Sequence, residues 1–176
     1  TAFNQAGKEY FCFDQVVADP PESIVLSAVA YAKKLEVDGI IGFGGGSSLD
    51  TAKLVALLAN SDEQLADIYG VDTVRGQRLP LILIPTTAGT GSEVTPIAIV
   101  TTGDTTKAGV VSSVLLPDVA LLDASLTLGL PSHVTAATGI DAMVHAIEAY
   151  TSAIKKNPYS DLLAKQALTL LSSNIV

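Results

Sequence analysis

The segment of residues 44–53, with the sequence GGGSSLDTAK, holds residue types that bind phosphate. Glycines let the backbone turn sharply and let a ligand approach the main chain, and a helix start presents unpaired N–H groups and a positive dipole end. The segment matches neither a P-loop, because Lys53 lies too far into the helix, nor the G-x-G-x-x-G fingerprint. We expect a nucleotide phosphate here, and a tight turn without a ligand is the alternative.

A second loop, residues 85–95, has the sequence PTTAGTGSEVT and is rich in hydroxyls that bond phosphate or ribose oxygens. Like the glycine segment, it follows an apolar run that we interpret as a buried strand. Ligands of parallel sheets bind beyond the carboxyl ends of the strands, so we expect both loops to face one crevice. A plain turn, with Thr90 or Ser92 capping a helix, is the alternative.

Asp141 and His145 stand four residues apart in a helical pattern. This spacing places a carboxylate and an imidazole on one helix face, within reach of one divalent metal. Two ligands hold a metal poorly, so the pair is half a site, and a contact between the side chains without metal is the alternative. His133 precedes this pair at a predicted helix start, and we expect it to shape that start or the site rim.

The elements that position these residues change in character along the chain. Up to about residue 123, short β-rich runs alternate with helical runs, which is typical of a parallel sheet covered by helices. The predicted strands are residues 10–13, 39–43, 80–85, 97–101, 108–111 and 119–122, and the predicted helices cover about residues 21–35 and 48–58. The runs at 39–43 and 80–85 are continuously apolar, so we expect both strands to be buried on both faces.

Beyond residue 132 the pattern is helical, with helices predicted over residues 133–150 and 159–171 and a break at Asn157 and Pro158. The predicted fold class is α/β. We expect a parallel-sheet dinucleotide-binding domain in residues 1–128, followed by the first helices of an all-α domain in residues 129–176.

Composition narrows the class of protein. The 176 residues, 48% of them hydrophobic, can build one sizeable core or one domain and the start of a second. No apolar run approaches the roughly 20 residues of a membrane-spanning helix, and no signal-like start is visible, so we expect a cytoplasmic protein without a membrane partner. The net charge of −8 and the lack of a Lys/Arg cluster argue against nucleic acid. Cys12 cannot form an internal disulfide, and we expect it in the core.

Three segments in this order and spacing resemble the iron-containing (group III) alcohol dehydrogenase family: GGGSSLDTAK, PTTAGTGSEVT and TAATGIDAMVHAIEAY. The resemblance begins at about Val16 but covers only the middle of family members, so we expect both ends to be missing. It implies an incomplete N-terminal nucleotide-binding domain and an all-helical domain. NAD or NADP and a catalytic metal, usually Fe(II) with Zn(II) as the alternative, would lie in the cleft between them.

The resemblance also implies which residues contact these groups. The residues along the pyrophosphate and nearby ribose would be Gly45, Gly46, Ser47 and Asp50. The cofactor wall would be completed by Thr86, Thr87, Thr90, Thr95, Lys107 and Leu126. Asp141 and His145 would be metal ligands, and no catalytic residue is implied beyond them.

The implied reaction is hydride transfer between an alcohol carbon and the nicotinamide, with the metal acting as a Lewis acid on the oxygen of a small alcohol or aldehyde. Family members complete the metal site with two further histidines from later helices, and no histidine follows His145 here. We therefore expect the isolated chain to be inactive or impaired. Exposed strand edges and apolar helix faces favour association, so we expect a homo-oligomer, a dimer.

Two other functions stay open. One is a non-catalytic module that binds a nucleotide or associates with itself. The other is a related glycerol dehydrogenase or maleylacetate reductase activity on the same scaffold. The segment GIDAMVHAIEAY favours the alcohol dehydrogenase branch.

Overall fold

The computed structural model of the chain describes residues 2–103 and 105–175. Its helices are α1 (Ala2–Gln5), α2 (Glu22–Lys34), α3 (Gly46–Ala59), α4 (Ser132–Thr151) and α5 (Pro158–Asn174). Its strands are β1 (Ile40–Gly44), β2 (Gly70–Val71), β3 (Leu81–Pro85), β4 (Ile97–Thr102), β5 (Thr106–Val111) and β6 (Val119–Ala120). Short 3-10 helices lie at Leu65–Asp67, Ser92–Val94, Ser113–Leu115 and Ala124–Thr127. The predicted α/β class is confirmed.

A parallel sheet with the strand order β1-β3-β6 carries the two loops of interest. Gly44 at the end of β1 pairs with Pro85 at the end of β3, and Ile82 pairs with Val119 of β6. Helix α3 follows β1 and packs on both β1 and β3. The carboxyl ends of these strands therefore share one sheet edge, as expected.

A second sheet, with the order β2-β5-β4, departs from the predicted all-parallel arrangement. Strands β4 and β5 are antiparallel, with Thr102 opposite Thr106, and β2 is parallel to β5. Residues 103–105 are too few for the long crossover that joins parallel strands, so these two strands form a hairpin.

Helix α3 is the centre of the core. On one side Leu54 packs in a cluster with Val25 of α2 and Val100 of β4. On the other side Ala52 packs with Leu81 of β3. Because α3 is buried between two layers, its displacement would disturb both sheets.

Strand β1 is buried on one face only, contrary to the prediction. Ile41 and Phe43 are 48% and 59% exposed. On the opposite face Gly42 is covered by α3, where an added Cβ would lie 2.8 Å from the Cβ of Ala52. A continuous apolar run thus did not distinguish a strand covered on one side from one covered on both.

Residues 10–13, predicted as a strand, are irregular. Tyr10 and Phe11 are exposed, and Cys12, expected in the core, is exposed as well. A strand persists where a neighbouring strand satisfies its backbone groups, and this segment pairs with none of the described strands. Both predictions were wrong for that reason.

Hydrogen bonds between Arg78 and Asp118 connect the amino ends of β3 and β6. Arg78 Nη1 donates to Asp118 Oδ2 at 2.7 Å, and Nη2 donates to Oδ1 at 3.0 Å. The backbone N–H of Leu81 also donates to Oδ2, at 2.7 Å. These bonds, led by that from Arg78, lower the pKa of Asp118 to about 2, because they favour the ionised carboxyl.

Helices α4 and α5 pack against each other. Asn157 starts α5 with a capping box, in which its Oδ1 accepts from the N–H of Ser160 at 2.9 Å. The predicted break at Asn157 is confirmed. Over the described residues, no helix combines the length and apolar character that crossing a bilayer requires.

Candidate functional site

The glycine turn joins β1 to α3 and leaves the start of that helix open. Gly44 has φ +146°, a conformation that side chains rarely adopt. Gly45 is the N-cap of α3 and supplies no side-chain cap, and the first turn carries no acidic residue. The N–H groups of Ser48 and Leu49 donate to the Gly45 carbonyl at 3.0 and 3.1 Å. The positive end of a 14-residue helix therefore meets no neutralising side chain of its own.

The second loop lies directly beside this turn. Its Thr86 N–H donates to the Gly44 carbonyl at 2.9 Å. A Cβ added at Gly45 would lie 3.3 Å from Thr87 Cγ2, and one at Gly46 would lie 3.0 Å from Thr90 Cγ2. The structure thus brings together the predicted residues of both loops, and the bare glycines make their close approach possible.

Thr87 carries the clearest sign of a missing partner. Its Oγ1 is buried and has no hydrogen-bond partner, although it lies next to the glycine turn. A buried hydroxyl without a partner is destabilising by about 1–3 kcal/mol. A phosphate or ribose oxygen at the turn would accept this hydrogen bond, so the residues present fit a nucleotide.

Lys107, predicted on the cofactor wall, reaches the glycine turn through Asp19. The Lys107 ammonium pairs with the Asp19 carboxylate, and the Asp19 N–H donates to Ser47 Oγ at 3.2 Å. Asp19 has φ +50° and was not predicted as a site residue. Both charged side chains are more than half exposed, at 53% and 68%, so both are open to solvent.

Lys53 is a buried cation that sequence reasoning set aside. Its side chain is 0% exposed. Its Nζ donates to the carbonyl of Ile97 at 2.6 Å, to Ser92 Oγ at 2.9 Å, to Asp50 Oδ1 at 3.2 Å and to Thr95 Oγ1 at 3.4 Å. Desolvation lowers the pKa of Lys53, and the Asp50 carboxylate opposes that shift.

Asp50, predicted to lie along the cofactor, takes part in the same network. Its Oδ1 accepts from Ser92 Oγ at 2.5 Å, and its Oδ2 accepts from the N–H of Ile99 at 3.0 Å. The side chain is 14% exposed. Asp50 and Thr95 are therefore both bonded to Lys53, and a contact of either residue with a ligand stays a prediction.

Leu126 lies in the 3-10 helix that follows β6 and is half-buried. Strand β6 is parallel to β3, so Leu126 follows a strand whose carboxyl end lies at the same sheet edge as the two loops. Its contact with a cofactor stays a prediction.

Asp141 and His145 lie one turn apart on α4. Their Oδ1 and Nε2 atoms are 3.7 Å apart, and the side chains are 45% and 52% exposed. A carboxylate oxygen and an imidazole nitrogen are donors that iron and zinc accept. Among the described residues, however, no group of three His, Cys, Asp or Glu side chains could hold a metal. These residues alone do not fit a complete metal site.

Helix α4 touches the second loop close to this pair. A Cβ added at Gly89 would lie 2.2 Å from the carbonyl oxygen of Thr138. Asp141 follows Thr138 by less than one helical turn, a rise of about 5 Å. The acid and imidazole pair therefore stands next to the loop that flanks the glycine turn.

Comparison with known proteins finds two matching family profiles. A family profile described as "Iron-containing alcohol dehydrogenase" matches residues 1–124. A second profile, "Fe-containing alcohol dehydrogenase family, C-terminal", matches residues 135–176.

Individual relatives match most of this chain. Long-chain-alcohol dehydrogenase 1 of Geobacillus thermodenitrificans (strain NG80-2) is 47% identical over 174 residues, which are 97% of this chain and 44% of the relative. The probable alcohol dehydrogenase EutG of Escherichia coli (strain K12) is 48% identical over 161 residues, 90% of this chain and 40% of the relative. A crystal structure of a 1,3-propanediol oxidoreductase superposes with a TM-score of 0.92 at 36% identity, covering 98% of this chain and 45% of the other. The chain spans less than half the length of these curated relatives.

Proposed function

The chain belongs to the iron-containing alcohol dehydrogenase family, and we propose that it binds NAD or NADP in the crevice between its two loops for hydride transfer between an alcohol and the nicotinamide. The observation that carries this proposal is the buried Oγ1 of Thr87, which has no partner and lies beside the open start of α3. A pyrophosphate at that start would accept bonds from the helix N–H groups and from this hydroxyl.

The residues of the chain position the cofactor and balance its charge. Gly45 and Gly46 let the main chain approach the pyrophosphate, because no Cβ stands in the way. Lys107 lies at the rim and offsets the negative charge once its pairing with Asp19 loosens. The bound nicotinamide supplies the hydride acceptor or donor, and a small alcohol or aldehyde is the substrate class.

Asp141 and His145 would supply the first two ligands of a metal, Fe(II) or Zn(II). The chemistry that such a metal would supply is Lewis-acid polarisation of the substrate oxygen. Because the described residues offer no third ligand beside this pair, we propose that the isolated chain binds the dinucleotide but turns over slowly or not at all.

Direct titration with NADH and NADPH tests the proposal. The chain has no Trp, so the fluorescence of the reduced nicotinamide reports binding without interference from indole. We expect enhanced, saturable emission for at least one of the two cofactors. A flat titration for both, with a folded chain shown by circular dichroism, would refute the proposal.

A matched pair of glycine variants separates binding at the crevice from binding elsewhere. In Gly46→Val the added side chain meets Thr90, where even a Cβ would lie 3.0 Å from Cγ2, whereas Gly129 has nothing within 4 Å of such a Cβ. We expect Gly46→Val to weaken binding about tenfold or more, about 1.4 kcal/mol. Gly129→Val should bind as the parent does.

A second candidate is a nucleotide-binding module without catalysis. The observation that favours this module is that Asp141 and His145 offer only two metal donors and that the described residues supply no third one beside them. Assays of alcohol oxidation with added Fe(II) or Zn(II) discriminate the two. Saturable cofactor binding without turnover under all metal conditions supports the module, and robust turnover excludes it.

A further inference from the structure

One buried ammonium connects three segments of the candidate site. Lys53 and its neighbour Asp50 are on α3, which begins at the glycine turn. Ser92 belongs to the hydroxyl loop, and Ile97 opens β4, which follows that loop. Lys53 donates to all three, so its bonds tie the far end of the hydroxyl loop to the glycine helix.

Asp50 completes the connection from the other side. Its two carboxylate oxygens accept from Ser92 Oγ and from the backbone N–H of Ile99. The loop is therefore held by a charged pair at two places, once at a side chain and once at the backbone of β4. Bonds to ionised groups are shorter and stronger than neutral ones, so this end of the loop has little freedom.

A buried lysine is an unusual residue at a position whose function is packing alone. Apolar side chains of similar volume fill such a space without the desolvation that a charge requires. What a charged pair adds is a defined geometry, because its bonds form at only one arrangement of the partners. Because Lys53 lies between the glycine turn and the hydroxyl loop, this defined geometry would fix the spacing of the two loops.

We propose that Lys53 is a positioning residue, which holds the hydroxyl loop at a fixed spacing from the glycine turn so that a dinucleotide finds both walls preformed. This inference rests on the proposed cofactor site. Lys53 itself is fully buried and does not touch the ligand. Its effect acts through Ser92, Thr95 and β4.

The proposal predicts a difference between ligands of different reach. In the proposed site NAD would extend from its diphosphate at the glycine turn along the hydroxyl loop, whereas ADP carries a diphosphate without the nicotinamide riboside. The Thr87 end of the loop is held separately, by the bond from the Thr86 N–H to the Gly44 carbonyl, and would still serve the diphosphate of ADP. Loss of spacing at the Ser92 end should therefore weaken NAD more than ADP. General loss of folded protein would weaken both by the same factor.

Ser92→Ala and Lys53→Met test this by calorimetric titration with NAD and with ADP. Ser92→Ala leaves the Lys53 and Asp50 charges paired, so it provides the measurement if Lys53→Met does not fold. Ser112→Ala is the matched control, because Ser92 and Ser112 are both 5% exposed and Ser112 caps a different 3-10 helix. We expect Ser92→Ala to weaken NAD binding about five- to tenfold and ADP binding less than twofold, from the loss of a charge-assisted network bond.

The outcomes are distinguishable. Selective loss of NAD affinity in Ser92→Ala, absent from Ser112→Ala, supports the positioning role. Equal losses for NAD and ADP, or unchanged NAD affinity in both Ser92→Ala and a folded Lys53→Met, overturn it while the cofactor site stands. If the parent chain binds neither ligand, the proposed function fails and this inference fails with it.

Discussion

The backbone of Gly89 lies against the carbonyl group of Thr138, so close that a Cβ at residue 89 would stand 2.2 Å from that oxygen. Gly89 belongs to the hydroxyl loop, and Thr138 precedes the Asp141 and His145 pair on α4. A single backbone contact therefore connects the proposed cofactor wall with the proposed metal ligands. Neither atom at this contact is the tip of a flexible side chain, so an added methyl group cannot be accommodated without moving main chain.

Gly89→Ala should separate the loop from α4. Overpacking of a tight contact typically destabilises a protein by about 1–3 kcal/mol, and we expect a loss in that range in chemical denaturation. Gly129→Ala, where the added Cβ meets nothing within 4 Å, is the control and should change stability little. Equal stabilities of the two variants would show that the contact is not close in solution.

Thr87→Val should shift stability and binding in opposite directions. Valine keeps the shape of threonine and removes the buried hydroxyl that has no partner, so we expect the ligand-free chain to gain about 1 kcal/mol. NAD binding should weaken about five- to tenfold, because the hydroxyl no longer donates. Thr87→Ser, which keeps the hydroxyl, should retain affinity. A Thr87→Val chain with undiminished NAD affinity would remove the main support for the site.

Asp19 and Lys107 should influence cofactor affinity with opposite signs. Lys107→Met removes a positive charge beside the crevice and should weaken NAD binding. Asp19→Asn removes a negative charge that pairs with Lys107, and it should tighten binding about two- to fivefold, since asparagine also tolerates the positive φ of residue 19. Both effects should shrink with added salt because the groups are exposed. Weaker binding by Asp19→Asn would contradict this account.

The Arg78 and Asp118 pair should make stability depend on pH in the acid range. The folded-state pKa of Asp118 is lowered to about 2, so the ionised carboxyl stabilises the fold above the unfolded value of about 3.9. That contribution is lost as the pH falls from about 4 through 2. Because the side chain is 54% exposed, solvent screens the pair, and we expect Asp118→Asn to lose about 0.5–1 kcal/mol near neutral pH. Unfolding curves of both proteins should converge near pH 2.

The α4 pair should bind Zn(II), a redox-stable probe, only weakly because it offers two donors, and His145→Ala should weaken that binding further. Asp141 and His145 provide the donors, and His133 is the other histidine of the chain. His133→Ala is therefore the matched control and should leave Zn(II) binding unchanged in calorimetry. If His133→Ala lost the metal and His145→Ala retained it, the assignment of the pair would be wrong.

Local sequence patterns predicted the strand, glycine turn and helix at residues 40–59, because the turn residues and the apolar pattern indicate the same structure there. They also gave the start of α5 at Asn157. Local sequence rules did not predict that β4 and β5 are antiparallel, because that prediction requires the length of their connection to be considered. They also did not predict the exposure of Phe43, which depends on what covers the sheet.

The candidate site likewise contains residues that the sequence predicted and residues that it did not predict. Thr87 and Gly45 were predicted as cofactor residues from motifs that resemble a known family, and the structure places the two residues side by side. The hydrogen bonds of Lys53 were not predicted because its partners Ser92 and Ile97 are 39 and 44 residues away, and only the folded chain brings them together. Asp19 was missed for the same reason, since its lysine partner is 88 residues away.

The open start of α3 implies a conflict between folding and binding. Glycine at an N-cap stabilises a helix only a few tenths of a kcal/mol less than serine, threonine or aspartate does, and this central helix has Gly45 at its N-cap without a side-chain cap. The helix start therefore has no side-chain partner for its first N–H groups, and an anion would accept bonds from them. Selection for stability alone would favour a side-chain cap at the start of α3, and such a cap would take the place of the bound anion. Because a Cβ at position 45 would lie 3.3 Å from Thr87 Cγ2, a library sorted only for heat resistance should gain a capping residue at position 45 most readily together with a smaller residue at position 87, and it should lose nucleotide affinity with that pair of changes.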